Sequence, residues 1–184
     1  NRHALYASFS GGEPTINPNL IRYIRYATEL GIPRVIIQTN ALMASYPEYA
    51  DRLVDAGLTG AFVSLHAPNA TLSDRITASP GTWELTIQGI EALLNRGIEV
   101  ELNTVINQLN YRALPDLATF VAARFPRVTA ITLSFIAPTG FCQVSRKTIP
   151  RIADVQPYLF QALDVLRDSD ITPILPDRCG IPLC

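Results

Sequence analysis

An apolar run, Tyr6-Ala7-Ser8-Phe9, stops at Ser10 and gives way to Gly11-Gly12-Glu13-Pro14-Thr15. These residue types, in this order, suit ligand binding at the end of a strand. Two residues without a Cβ let a small molecule reach backbone N–H groups, and the adjacent carboxylate offers acceptors to a cationic group such as an ammonium. The alternative use of the same residues is a tight strand-to-helix turn with a carboxylate at the helix N-terminus. Cys179 and Cys184, five positions apart in a Gly- and Pro-containing segment, could supply half of a zinc or iron–sulfur site, or stand as buried or free thiols. Cys142 has no partner at metal-ligand spacing and reads as structural.

The elements that must position these groups alternate along the chain. Apolar, β-branched runs over Ala4–Phe9, Arg34–Thr39, Gly60–Leu65, Glu99–Ile106 and Ala130–Ile136 read as strands. Between them the apolar spacing changes to a helical period. Helices are expected over about Asn19–Leu30, Tyr46–Ala56, Trp83–Arg96, Arg112–Arg124 and Ile152–Asp168, with Gly31, Gly57 and Gly97 as stops. Trp83 reads as a packing residue. Five βα units of this kind imply a parallel sheet, either an open doubly wound sheet or a barrel. In both, ligands sit at the carboxyl ends of the strands. The strand ends here are Ser10-Gly11-Gly12-Glu13, Gln38-Thr39-Asn40, Ser64-Leu65-His66, Asn103-Thr104-Val105-Ile106-Asn107 and Ala137-Pro138-Thr139-Gly140. They are rich in small and polar groups, as a ligand-binding rim requires.

Composition narrows the function classes. The chain has 184 residues, 48% hydrophobic and 17% charged, enough for one sizeable core. Fifteen basic against sixteen acidic residues give a net charge of −1, which disfavours a nucleic-acid-binding surface or an acidic-membrane anchor. Fourteen of the fifteen basic residues are arginines, Lys147 being the lysine, a bias from which no function follows. No apolar run reaches the ~20 residues needed to cross a bilayer, and Asn1-Arg2-His3 leads into a strand rather than a signal-peptide core. Three cysteines, an odd count, disfavour a secreted disulfide framework. The expectation is a soluble, cytoplasmic protein with no membrane and no nucleic-acid partner. Pro173, Pro176 and Pro182 mark a break after Asp168, so residues 1–168 are expected to form the core and 169–184 a cysteine-bearing extension.

Gly-Gly-Glu-Pro after an aromatic-Ser strand resembles the element of radical S-adenosylmethionine (SAM) enzymes that follows the second barrel strand and receives the methionine amino group. Thr39-Asn40 resembles the Thr-Asn-Gly element of the third strand, with Ala41 in place of the usual glycine, a change expected to alter the loop. Ser64-Leu65-His66, Asp74-Arg75-Ile76-Thr77 and Gly81-Thr82-Trp83-Glu84 resemble the fourth-strand region of members related to molybdenum cofactor cyclases and peptide-modifying maturases. The resemblance covers roughly residues 4–140. It implies a partial (β/α) TIM-like barrel whose first βα unit, with the three-cysteine loop of the [4Fe–4S] cluster, lies upstream of Asn1, since no cysteine precedes Cys142.

What the resemblance implies for the site follows residue by residue. Ser10, Gly11, Gly12 and Glu13 would hold the methionine end of SAM, Thr39 and Asn40 the adjoining turn, Ser64 the ribose and Arg75 the carboxylate. Asn103 would contact the cofactor from the next strand, with Val105 or Ile106 near the adenine. A planar guanidinium suits a carboxylate because it donates two parallel hydrogen bonds. Each has a plainer use: Arg75 as a solvated cation, Asn103 as a partner for strand-end backbone, and His66 as a satisfied near-core histidine rather than a substrate contact or proton donor. No catalytic side chain is identifiable. The intact enzyme would cleave SAM reductively to a 5′-deoxyadenosyl radical that abstracts hydrogen from a small-molecule or peptide substrate, fed by an electron donor protein, with Cys179 and Cys184 serving an auxiliary cluster. A degenerate SAM-binding or scaffold barrel and a non-radical TIM-barrel enzyme are the alternatives.

Overall fold

The computed structural model describes residues 4–136 and 146–176. Its strands are β1 (Tyr6–Phe9), β2 (Arg34–Thr39), β3 (Gly60–Ser64), β4 (Glu99–Ile106), β5 (Ala130–Phe135) and β6 (Thr172–Ile174). The helices are α1 (Leu20–Glu29), α2 (Pro47–Asp55), α3 (Ala70–Thr77), α4 (Thr82–Asn95), α5 (Leu114–Arg124) and α6 (Ile152–Asp168). The strands follow the order β1-β2-β3-β4-β5-β6 in one sheet, with β1–β2, β2–β3 and β5–β6 parallel. Neighbours in sequence order, each reached through a helix, are the arrangement of a (β/α) barrel; doubly wound sheets reverse their order at a switch point. The sheet therefore follows the partial-barrel pattern.

The chain divides into two compact units, residues 1–65 with 84–102, and residues 66–83 with 103–184. In the first, β2 buries Val35, Ile37 and Thr39 on one face. α1 presents Leu20, Ile24 and Ala27 as its buried stripe, and α4 presents Ile87, Ile90, Leu93 and Leu94. Each large aliphatic side chain so buried contributes about 1.5–3 kcal/mol. The opposite faces of the strands are more polar. Ser8, Gln38 and Glu101 line a cavity of about 290 Å³ with Tyr6, Phe62 and Arg34, whose guanidinium bridges Glu99 at 3.3 Å and Glu101 at 2.8 Å. The second half of β4 belongs to the second unit, where Thr104 and Ile106 are buried and Ile106 accepts a backbone hydrogen bond from Ile136. There α5 and α6 bury Leu117, Ala118 and Val121, and Val155, Leu159 and Leu163.

Two elements depart from the sequence expectation. α3 has no counterpart among the helices expected from the sequence; it is capped by the Asn69 side chain, which accepts from Leu72 N–H at 3.0 Å, and it ends at Ala78 in a left-handed conformation. Only Ser73 is fully buried on it, so an apolar period is nearly absent. β6 lies in the segment expected to be an extension. It pairs with β5 through Thr172, Pro173 and Ile174 and stands at the end of the described strand order, the position at which a proline lacking its N–H is tolerated. No helix among the described residues is long and apolar enough to cross a membrane. Ala137-Pro138-Thr139-Gly140, Cys142, Cys179 and Cys184 lie outside the described residues.

Candidate functional site

The end of β1 builds a carboxylate site from short-range geometry. Gly11 has φ +121, a backbone conformation that residues with a side chain rarely adopt, and neither Gly11 nor Gly12 has any heavy atom within 4 Å of where a Cβ would sit. The space beside their backbone is open. Glu13 follows in extended conformation and caps a 3₁₀ turn over Pro14–Ile16. Its Oε1 accepts from Thr15 N–H at 3.0 Å, Thr15 Oγ1 at 2.6 Å and Thr39 Oγ1 at 2.7 Å. Its Oε2 accepts from Asn40 N–H at 2.7 Å. Both uses that the sequence left open are thus compatible: the carboxylate caps a turn, and it is also held at the ends of two neighbouring strands.

The chemistry of that donor set is specific. All four donors are neutral, two hydroxyl and two backbone N–H bonds, so the negative charge meets no cation among the described residues. A carboxylate offers about four acceptor positions. Three donors crowd Oε1 and one reaches Oε2, which leaves Oε2 with room for a further donor. A cationic N–H donor would meet both the charge and the vacant position.

The turn after β2 completes the arrangement. Thr39 Oγ1, while donating to Glu13, accepts from Ala41 N–H at 3.0 Å, and Asn40 Oδ1 accepts from Leu42 N–H at 3.0 Å. Ala41 sits at φ +61 and is fully buried. Substitution of the usual glycine therefore leaves the turn formed, at a backbone cost of roughly 1–2 kcal/mol, and the Asn40 contact with Glu13 is made. Two residues on α4 hold the turn: Thr86 Oγ1 donates to the Asn40 carbonyl at 3.1 Å, and Gly89 packs so closely that a Cβ there would stand 2.1 Å from the Ala41 carbonyl oxygen. Sequence reasoning missed Thr15, Thr86 and Gly89. The glycine inside an otherwise good helix pattern was the available signal of close backbone approach.

Glu13, Thr39 and Asn40 are thus in direct contact, with exposed Ser10, Gly11 and Gly12 leading into them. Ser64, half-buried, ends β3 in the same unit. Arg75 and Asn103 belong to the second unit. Arg75 projects exposed from α3, and Asn103 is half-buried on β4.

His66 in the second unit is fixed rather than free. Its Nδ1 accepts from Val105 N–H at 3.2 Å, so the ring proton resides on Nε2, and its backbone carbonyl accepts from Asn110 Nδ2 at 3.0 Å. Asn110 is buried and also bonds the Val105 carbonyl and Asn107 N–H, which locks the end of β4 to the segment after β3. Burial lowers the His66 pKa to about 4, so the imidazole is neutral at pH 7. Protonation would also put a hydrogen where Val105 N–H now donates. The unfolded chain takes up this proton near pH 6.5 and the folded one only near pH 4. The stabilisation is therefore complete above pH 6.5 and is lost as the pH falls through this window, by roughly 3 kcal/mol. Urea unfolding of wild type and His66→Gln between pH 4 and pH 7 should show this slope in the wild type and its loss in the variant. Trp83, expected as a packing residue, packs against Phe120 with ring centres 5.6 Å apart and planes inclined at 44°, and donates Nε1–H to the Ala67 carbonyl at 3.2 Å.

A family model described as the radical SAM superfamily matches residues 2–121. The chain belongs to the radical SAM superfamily. Among curated proteins it is 31% identical over 162 residues to the AdoMet-dependent heme synthase of Methanosarcina barkeri, covering 88% of this chain and 45% of that protein. It is 31% identical over 119 residues to the PqqA peptide cyclase of Rhodopseudomonas palustris, covering 65% of this chain and 31% of that one. The solved structure of Streptococcus suis SuiB bound to precursor peptide SuiA matches with a TM-score of 0.69 over 93% of this chain and 38% of that chain, at 16% identity, a likeness of fold. This radical SAM chain spans less than half of the length of such relatives, 31% to 45% of it.

Superfamily membership implies SAM and a [4Fe–4S] cluster. The open glycine backbone and the uncompensated Glu13 carboxylate suit the ammonium of SAM. The cluster finds no match among the described residues, which include no cysteine and no group of three His, Cys, Asp or Glu side chains able to hold a metal ion.

Proposed function

We propose that this chain is the SAM-binding core of a radical SAM enzyme, with Glu13 as the receptor of the methionine ammonium. The observation that carries the reading is the carboxylate itself: a charged group held by four neutral donors, its Oε2 still open, beside glycine backbone with clear space around it. Gly11 and Gly12 admit the ligand to the backbone, Thr39 and the Asn40 N–H fix the carboxylate, and Ser10 borders the entrance. Ser64 is proposed for the ribose, Arg75 for the carboxylate and Asn103 for a further cofactor contact, by the family resemblance of their motifs. In such enzymes bound SAM, on one-electron reduction, supplies methionine and a 5′-deoxyadenosyl radical that takes a hydrogen atom from substrate. The part played by these residues is to bind and orient SAM. Equilibrium binding of SAM to the intact protein, compared between wild type and Glu13→Gln, tests the assignment.

A peptide or complex small-molecule substrate is proposed, on the strength of the likeness to a peptide cyclase and to a peptide-bound fold neighbour. An electron donor protein and a cytoplasmic setting belong to the same proposal. α1 leaves Tyr23 and Tyr26 exposed at 44% and 61%, and Leu30 at its C-cap at 61%, along one helical stripe. A further βα unit of the intact protein, bearing the cluster loop, is proposed to pack there. Cys179 and Cys184 are proposed as ligands of an auxiliary iron–sulfur cluster. Iron content per chain should fall in the Cys179→Ala, Cys184→Ala double variant, and unchanged iron would rule out that role.

A further inference from the structure

We infer that Tyr49 and Thr86, on two different helices, are positioning residues that aim the Glu13 carboxylate. The inference rests on the reading of Glu13 as the SAM ammonium receptor. Its geometry is a brace with one arm to each carboxylate oxygen. On the α2 side, the Tyr49 hydroxyl donates to the Thr15 carbonyl at 3.0 Å, across 34 positions of sequence. Thr15 is buried and spends both its N–H and its hydroxyl on Glu13 Oε1. On the α4 side, the Thr86 hydroxyl donates to the Asn40 carbonyl, and Asn40 N–H donates to Glu13 Oε2.

Both choices are informative because each side chain had an easier partner. A helical threonine commonly returns its hydroxyl to a carbonyl one turn back, whereas Thr86 reaches 46 positions away. Tyr49 is half-buried, with the Arg52 guanidinium 5.7 Å from its ring centre, and could have turned its hydroxyl to solvent. Burial raises the Tyr49 pKa, with Glu13 adding to the rise and Arg52 opposing it, so the hydroxyl keeps its donor hydrogen at neutral pH. Neither residue touches the carboxylate. They fix the two backbone segments from which its donors come, and so determine which way the open side of Oε2 faces.

The test measures SAM affinity of the intact protein by equilibrium dialysis, together with amide hydrogen exchange at Thr15 and Asn40. Tyr49→Phe and Thr86→Val are each expected to weaken SAM binding about three- to tenfold, the range of one lost hydrogen bond. Exchange should accelerate at Thr15 in the first and at Asn40 in the second. Thr86→Ser keeps the hydroxyl and should bind as wild type does. Wild-type affinity in both Tyr49→Phe and Thr86→Val, with Glu13→Gln weakened more than about tenfold, would overturn the brace and leave the role of Glu13 intact. Wild-type affinity in Glu13→Gln would instead overturn the role of Glu13. Should Thr86→Val not fold, Tyr49→Phe decides alone, with the same expectation.

Discussion

Glu13→Ala is expected to lower the stability of the chain by about 3–5 kcal/mol and to abolish measurable SAM binding. Four hydrogen bonds converge on this carboxylate, from Thr15 N–H, the Thr15 and Thr39 hydroxyls, and Asn40 N–H. Bonds to a charged acceptor are worth roughly 1.5–3 kcal/mol each, but they share one anchor and do not add in full. Truncation leaves two backbone N–H groups and two hydroxyls in part-buried positions without their acceptor. Water can reach some of them, because Glu13 is itself half-buried. Urea unfolding provides the stability figure. A loss below about 1 kcal/mol, the scale of one ordinary hydrogen bond, would show that the network contributes little to the fold.

Gly89→Ala is the second large effect, and its sign opposes the usual rule. Inside a helix, alanine is favoured over glycine by about 1 kcal/mol, so propensity alone would have the variant stabilised. At this position the added Cβ would stand 2.1 Å from the Ala41 carbonyl oxygen and 3.0 Å from its carbonyl carbon, both backbone atoms. α4 and the turn after β2 must separate. The expected net destabilisation is about 2–4 kcal/mol, from overpacking in a well-packed region. Because the same turn carries Asn40 N–H to Glu13, SAM affinity should fall together with stability. A variant more stable than wild type in urea unfolding would refute the close approach.

The fold was legible where local pattern and burial agree. β2 and β4 occupy Arg34–Thr39 and Glu99–Ile106 as their apolar runs indicate, because each alternates one buried face with one more polar face over six to eight residues. α6 begins at Ile152 after Pro150 and ends at Asp168, as its period indicates. α3 was not legible because a helix with one fully buried residue carries almost no apolar period; its capping residue, Asn69, was the only strong mark. β6 was hidden by Pro173, which argues against a strand except at an edge. The choice between barrel and doubly wound order could not come from alternation, since both share it. It depended on which strands pair.

Of the candidate site, the sequence indicated Glu13, Thr39 and Asn40, and these do meet. What holds them together was beyond local reasoning. Thr86 and Gly89 act across 46 and 48 positions of chain, and Tyr49 across 34. Nothing in a threonine or a tyrosine on a helix shows which carbonyl it will find. Ala41 departs from the glycine pattern, which suggested an altered turn. A hydrogen bond to Thr39 and full burial hold the left-handed conformation nonetheless.

The central claim is that Glu13 receives the ammonium of SAM, and Glu13→Gln addresses it most directly, because the amide keeps the size of the side chain while removing its charge. SAM affinity of the intact protein, measured at equilibrium on folded wild type and variant, is expected to fall at least about tenfold, as befits a lost charge-assisted hydrogen bond. Folded Glu13→Gln protein that binds SAM as tightly as wild type would contradict the claim.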